Sequence, residues 1–184
     1  MDKFRDEIMD ENTRKALFNI LSIDGSNLRF FSDKMKSNSE WVFTAGQLSI
    51  NALEYADPKL LDDRVFVIEM MKLNGFAFAF CSERLRANRA FVLEAMKICG
   101  CVLEYANELF KGDREIVLAA VEQNGCALQY ASPELRADKD FVIDAISQDP
   151  SAFYFIDESL KDDEDVIKIF NLKNQDANLL SESG

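Results

Sequence analysis

The sequence predicts an all-α protein, an α-solenoid of six 25-residue repeats with seven long helices. Three observations predict this fold: glycine recurs at 25-residue intervals, apolar columns keep the same register, and helix N-cap residues precede each apolar stretch. A unit of this length cannot bury its apolar face alone, so neighbouring units must stack on one another.

The columns of the repeat hold without a gap through six units. The turn column is Gly25, Ile50, Gly75, Gly100, Gly125 and Pro150. Three residues later come Leu28, Leu53, Phe78, Leu103, Leu128 and Phe153. An aromatic column follows, with Phe30, Tyr55, Phe80, Tyr105, Tyr130 and Phe155. This last column suits either a stacking surface for bases or sugars or packing between helices. We expect packing, with the tyrosine hydroxyls at the surface.

Each long helix is predicted to begin at a column of capping residues, whose side chains accept hydrogen bonds from the first helical amides. The column is Asn38, Asp63, Asn88, Asp113, Asp138 and Asp163, with Thr13 as a further member at the N-terminal end. The following residues have the spacing of one apolar helical face. The helices are expected to run about 10 residues, to stop near the turn column, and to bury Trp41 and its counterparts.

The second half of each unit is predicted to hold a short helix, formed by segments such as Ala127–Ala131. A second capping column ends it, with Ser32, Asp57, Ser82, Asn107, Ser132 and Asp157. Pro or an acid follows in every repeat, which is typical of a helical start. We expect a tight turn there, of 3₁₀ type.

The net charge of −12 is concentrated at the two ends of the chain. Residues 1–12 carry −3 and residues 157–184 carry −5, which leaves −4 for the long middle. A solenoid needs polar ends to prevent end-to-end association. We therefore assign residues 1–12 to an acidic N-terminal cap, 13–172 to the repeat array and 173–184 to a polar C-terminal tail.

Composition argues against several classes of function. An acidic chain repels nucleic acid, which is bound by neutralising its phosphates. There is no histidine to serve as general base or metal ligand, and the cysteines match no zinc spacing. No nucleophile or phosphate-binding motif occurs, so no enzyme, metal or cofactor is expected. Because no apolar stretch suits a membrane span or a signal peptide, we expect a cytoplasmic protein with reduced thiols.

The repeat consensus resembles a known tandem-repeat family, the domain of unknown function 4116. Residues 113–142, DREIVLAAVEQNGCALQYASPELRADKDFV, carry the consensus most fully, and the resemblance extends over roughly 13–170. The glycine is replaced at Ile50 and Pro150, where we expect altered local geometry. The family occurs in protists and some intracellular bacteria, including secreted effectors. The resemblance therefore implies a helical array and, for a secreted member, a location in the host cytosol, but it implies no chemistry.

Candidate functional residues lie in columns that vary or that carry charge. An apolar patch is predicted in the central units, because polar residues elsewhere in these columns are replaced there by Leu61, Phe76, Ala79, Cys101 and Cys126. Exposed apolar surface marks interaction sites, although rotation of the short helix would bury these residues. A basic column consists of Lys36, Arg86, Lys111, Arg136 and Lys161. It suits a groove for an acidic partner or, as we favour, pairing with neighbouring acids.

These observations favour a non-catalytic scaffold that binds another protein, in one form an effector or inhibitor from a bacterium or phage. Two alternatives stay open. One is an acidic inhibitor that imitates nucleic acid and occupies a basic groove on its target. The other is a structural module that forms homo-oligomers through the apolar patch.

Overall fold

The structure is a computed structural model that describes residues 11–181, with side chains described for residues 11–175. The described residues form helices and turns without a strand, which confirms the all-α repeat fold. The chain divides into two compact units, residues 1–80 and 81–184. Each unit is described by itself. Of the predicted acidic cap, residues 1–10 lie outside the described residues.

The first unit contains three long helices, α1 (Glu11–Ile23), α2 (Ser39–Leu48) and α3 (Arg64–Leu73). A 3₁₀ segment follows each of them, and these segments are Gly25–Phe30, Ile50–Tyr55 and Gly75–Phe80. One-turn helices at Asp33–Lys36 and Pro58–Leu61 lead into the next long helix. Neighbouring long helices and neighbouring 3₁₀ segments of this unit pack on each other.

The second unit contains the other four long helices, α4 (Arg89–Ile98), α5 (Arg114–Gln123), α6 (Lys139–Gln148) and α7 (Glu164–Ser181). Its 3₁₀ segments are Gly100–Tyr105, Gly125–Tyr130 and Pro150–Phe155. The one-turn helices are Glu83–Arg86, Glu108–Lys111 and Pro133–Arg136, with a 3₁₀ turn at Glu158–Leu160 in the last repeat. Helix α7 continues through residues that we assigned to the polar tail.

The main capping column behaves as predicted in all six repeats. Asp113 is typical, since its Oδ1 accepts hydrogen bonds from the amides of Glu115 at 3.1 Å and Ile116 at 3.2 Å. Asn38, Asp63 and Asp163 accept the same two amides, and Asn88 and Asp138 accept the amide three residues on. The prediction that Thr13 extends this column is wrong, because Thr13 lies inside α1 and not at its start.

The type of the two short elements is the reverse of our prediction. The segment from the glycine to the aromatic residue is a 3₁₀ helix, whereas the turn after the second capping column is one turn of α-helix in five of six repeats.

A third capping column that we did not predict explains the 3₁₀ start. Asn124 has extended backbone, with φ −163° and ψ 111°, and its Oδ1 accepts from the Cys126 amide at 2.9 Å. Asp24, Asn74 and Asp149 do the same.

The turn glycines are needed because the next repeat lies against them. A Cβ on Gly25 would lie 2.2 Å from the carbonyl oxygen of Ala45, and a Cβ on Gly100 would lie 2.1 Å from that of Ala120. Neither glycine has a left-handed φ. The long helices do end near this column, as predicted, but it is the extended residue before the glycine that ends them.

The second repeat shows what replacing this glycine does. Ile50 stands in the turn column, and the segment Ile50–Tyr55 packs less closely on Gly75–Phe80 than Gly25–Phe30 packs on Ile50–Tyr55. A side chain at this position therefore separates consecutive 3₁₀ segments. This agrees with the altered geometry expected at Ile50.

The core of each unit is built from the predicted apolar columns. Trp41 is 7% exposed and stacks on Phe18, with 4.2 Å between ring centroids. Phe91, Ile116 and Phe141 are fully buried in the second unit. Among the described side chains, no polar or charged residue is fully buried. The stacked repeats therefore depend on apolar packing, while capping and ion pairs lie nearer the surface.

Candidate interaction surface

The first-unit members of the predicted apolar patch are accessible to different degrees. Phe76 is 47% exposed, whereas Leu61 and Ala79 are half-buried. Phe76 follows the capping residue Asn74, whose Oδ1 accepts from the Phe76 amide at 3.0 Å. The bond holds the start of this 3₁₀ segment, so Phe76 lies close to the end of α3.

The second-unit members of that patch are two half-buried thiols. Asn124 links them, because its Nδ2 donates to Cys101 Sγ at 3.1 Å while its Oδ1 accepts from the Cys126 amide. Burial raises the pKa of the Cys101 thiol, and the nearby Cys99 and Cys126 add to this shift. Cys101 is thus a weak nucleophile that is kept neutral. Cys99, Cys101 and Cys126 are half-buried free thiols, and Cys81 is buried.

The predicted basic column serves mainly to connect repeats. All five side chains are half-buried, and Lys111 and Lys161 bind Glu108 and Glu158 at 2.7 and 2.6 Å. The backbone carbonyls of Lys36, Lys111 and Arg136 accept hydrogen bonds from the second capping residue of the next repeat. Arg136 Nε is buried without a hydrogen bond, alone among the described side-chain nitrogens and oxygens. Pairing with neighbouring acids, the reading we favoured, is seen at the two lysines.

The aromatic column lies nearer the surface than we expected. Phe30 is 73% exposed and Tyr105 is 39% exposed, and the other four members are half-buried. The prediction of packing between helices is therefore wrong for Phe30. The pKa of Tyr130 is raised, first by burial and then by the negative charge of the neighbouring Glu104 carboxylate.

Consecutive long helices are joined by an ion-pair ladder that we did not predict. Arg89 Nε binds Asp113 Oδ2 at 2.8 Å, and Arg89 Nη2 also binds Glu115 at 2.6 Å. Arg114 repeats the pattern on Asp138 at 2.6 Å. Further rungs are Lys139 with Asp163 and Asp165, and Arg14 with Glu40. Arg89, Arg114 and Lys139 each follow a capping residue, whereas Arg14 lies within α1, and all four bind at the capping end of the next helix.

The ladder shifts the pKa of its members. The guanidinium of Arg89 lowers the pKa of Asp113, and amide hydrogen bonds add to the effect. The pKa of Asp138 is lowered first by the Phe141 amide and then by Arg114. The ammonium of Lys139 lowers the pKa of Asp163. These carboxylates are therefore held ionised as structural caps.

A second feature absent from our predictions is a row of exposed aliphatic side chains at the ends of α1, α2 and α3. We call Ile23, Leu48 and Leu73 the helix-end row. Their side chains are 82%, 49% and 52% exposed. They lie 25 residues apart, so they occupy equivalent places in three stacked repeats. The equivalent residue of α4 is Ile98, which is half-buried, and those of α5 and α6 are Gln123 and Gln148, which are exposed.

Other kinds of site find no support in the part of the chain that is described. Residues 11–175 contain no group of three or more Cys, Asp or Glu side chains placed to hold a metal ion. None of the described helices is both long and apolar enough to cross a bilayer.

The fold places this chain in the class of helical-repeat proteins, and a match to a family model identifies the family within that class. The model described as "Domain of unknown function (DUF4116)" matches residues 42–86, 63–109, 88–136 and 138–180. The chain therefore belongs to this family. No curated protein and no solved structure matches it.

Proposed function

We propose that this chain is a non-catalytic scaffold that binds a partner protein through the helix-end row. The carrying observation is the exposure of Ile23, Leu48 and Leu73 at equivalent places in three consecutive repeats. Exposed apolar surface that recurs in this way is typical of interaction sites on soluble domains. Phe76, from the patch predicted by sequence, is 47% exposed and lies three residues beyond Leu73 in the chain.

The pKa values of the carboxylates favour a scaffold rather than an enzyme. Catalytic acids and bases depend on burial and charge that bring their pKa near neutrality. Here the carboxylates with displaced pKa are capping residues such as Asp113 and Asp163, and their pKa is lowered. We include no cofactor in the proposal. A reducing compartment such as the cytoplasm suits the free thiols of Cys99, Cys101 and Cys126.

The two alternatives from the sequence, a nucleic-acid mimic and a module that forms homo-oligomers through the apolar patch, stay predictions. A nucleic-acid mimic needs free carboxylates, whereas Asp113, Asp138 and Asp163 pair with bases of the preceding repeat. We therefore do not place it first. An effector or inhibitor of bacterial or phage origin is a form that the proposed scaffold can take, with the bound protein as its target.

The proposal is tested by site-specific photo-cross-linking in cells that express the chain. We expect a cross-linked protein adduct when the photoreactive residue replaces Leu48, and none when it replaces Gln123, the equivalent position in α5. Adding Leu73→Glu should suppress the adduct at position 48, whereas Gln148→Glu should leave it unchanged. Equal adducts at positions 48 and 123, or no adduct at position 48, would refute binding through the row.

A further inference from the structure

Building on the proposed function, we infer that the helix-end row receives an amphipathic α-helix of the partner, with one large apolar side chain every seven residues. The first argument is spacing. Helices α1 and α2 pack together, as do α2 and α3, and packed helices lie about 8–10 Å apart. Ile23, Leu48 and Leu73 therefore recur at about that interval.

An α-helix repeats at close to this interval, and the aliphatic character of the row favours it over a polyproline II helix. Seven residues of helix advance about 10.5 Å and return to nearly the same face. A β-strand presents residues of one face at about 6.6 and 13 Å, neither of which fits. A polyproline II helix repeats every three residues, at about 9 Å, but the grooves that bind it are lined with aromatic side chains. The helix-end row is aliphatic.

The available area argues against a second copy of this chain as occupant. A fully buried Leu, Ile or Phe side chain removes on the order of 100 Å² of apolar surface from water. With the exposed fractions of the row and of Phe76, the four side chains offer roughly 250 Å². A stable protein dimer buries about 800 Å² on each partner. The row is therefore of a size for one face of a short helix.

The charges beside the row place a further condition on the helix. Asp24 follows Ile23, but its carboxylate already accepts from the Ser26 amide at 2.9 Å. Lys72 precedes Leu73 and is paired with Glu69 at 2.6 Å. Ser49 and Asn74 stand next to the other two row residues in the chain. Apart from the ionised Asp24 beside Ile23, these neighbours are uncharged or paired, so the helix is expected to carry mainly uncharged polar residues beside its apolar stripe.

The probe is a fluorescein-labelled helical peptide of about 20 residues, with leucine at every seventh position and Ala, Gln and Ser elsewhere. One control peptide has the same composition with its leucines distributed around the helix. Another has a polyproline II sequence with leucine at every third position. Binding to the full chain is measured by fluorescence anisotropy. We expect Leu48→Glu and Ile23→Glu each to weaken binding of the probe at least about tenfold, and Gln123→Glu to leave it unchanged. Circular dichroism checks that the variants fold.

The outcomes separate this inference from the proposed function. Equal binding of the distributed-leucine peptide, tighter binding of the polyproline peptide, or no binding of the probe overturns the helical occupant. A dimer detected by light scattering that dissociates in Leu48→Glu also overturns it, in favour of a second copy. Where the photo-cross-link at position 48 to another protein persists without probe binding, the proposed function stands and the helical occupant falls. Where neither the photo-cross-link nor binding of the probe is detected, the proposed function and the helical occupant are both refuted.

Discussion

Replacing one turn glycine by alanine should destabilise the second unit, while the same replacement twelve residues later should stabilise it. A Cβ on Gly100 would lie 2.1 Å from the Ala120 carbonyl oxygen and 2.9 Å from its carbonyl carbon. Both obstacles are backbone atoms, so no side-chain rotation relieves the contact. A Cβ on Gly112 would meet only Leu109 O and Ser132 Oγ, both at 3.8 Å.

The magnitudes follow from these distances. Ordinary Cβ contacts begin near 3.4 Å, so the backbone of α5 must move by more than 1 Å to accept Gly100→Ala. Overpacking by one methyl group costs about 1–3 kcal/mol, and a rigid obstacle favours the upper end. Alanine also restricts the unfolded chain, which stabilises the folded state by about 0.4–1 kcal/mol. The net loss of folding free energy is therefore about 2 kcal/mol. Gly112 has φ −98°, so alanine there should add about 0.4–1 kcal/mol.

Equilibrium urea unfolding, followed by far-ultraviolet circular dichroism, measures both effects. With a denaturant slope of about 2 kcal/mol per M, Gly100→Ala should lower the midpoint by about 1 M. Gly112→Ala should raise it slightly, and alanine already occupies the equivalent positions 87 and 137. The steric reasoning would be refuted by an unchanged or higher midpoint for Gly100→Ala, or by shifts of the two variants in the same direction.

Three further predictions concern capping, the ladder and the thiols. Asn88→Ala removes the acceptor of the Phe91 amide and should cost about 1 kcal/mol in urea unfolding, while Asn88→Asp should restore most of it. Arg89→Met should lower the urea midpoint at pH 7. Because Arg89 lowers the folded pKa of Asp113, this contribution is present above the unfolded pKa of the carboxyl, and the difference from wild type should vanish as the pH falls through the folded pKa. Finally, mass spectrometry should find Cys101 alkylated by iodoacetamide more slowly in the native chain than in urea, and equal rates would contradict its raised pKa.

The elements that could be predicted from sequence are those that each repeat specifies locally. A capping residue such as Asn88 or Asp138 acts on amides two or three residues away, so its role is readable within one unit and is reinforced by five others. Burial of Phe141 follows equally from the apolar period. Thr13 failed because α1 already includes residues 11 and 12 and so does not begin at the register of the later long helices.

The features that could not be predicted depend on how one repeat stacks on the next. Glycine is needed at position 100 because the backbone of Ala120 in α5 lies against it. The acids that bind Arg89 lie 24 and 26 residues further along the chain. The ladder did leave a signal, since a base follows the capping residue at Arg64, Arg89, Arg114 and Lys139. The sequence does not show on which side of these arginine and lysine residues the next helix lies. The choice between 3₁₀ and α geometry in the short elements also depends on this stacking.

The helix-end row escaped detection because its position is apolar in the early repeats for a reason other than burial. Leu48 and Leu73 end their helices in phase with core residues, so sequence alone groups them with the core. The fold does not require them to be apolar, because Gln123 and Gln148 occupy the same position in later repeats and are also exposed. About half of the Leu48 and Leu73 side chains is covered within the fold, whereas Ile23 is 82% exposed, so burial does not account for all the apolar surface at this position. Exposed aliphatic surface in three consecutive repeats of the first unit, at a position where α5 and α6 carry glutamine, is explained by contact with something outside the fold, which is the basis for assigning this row a binding role.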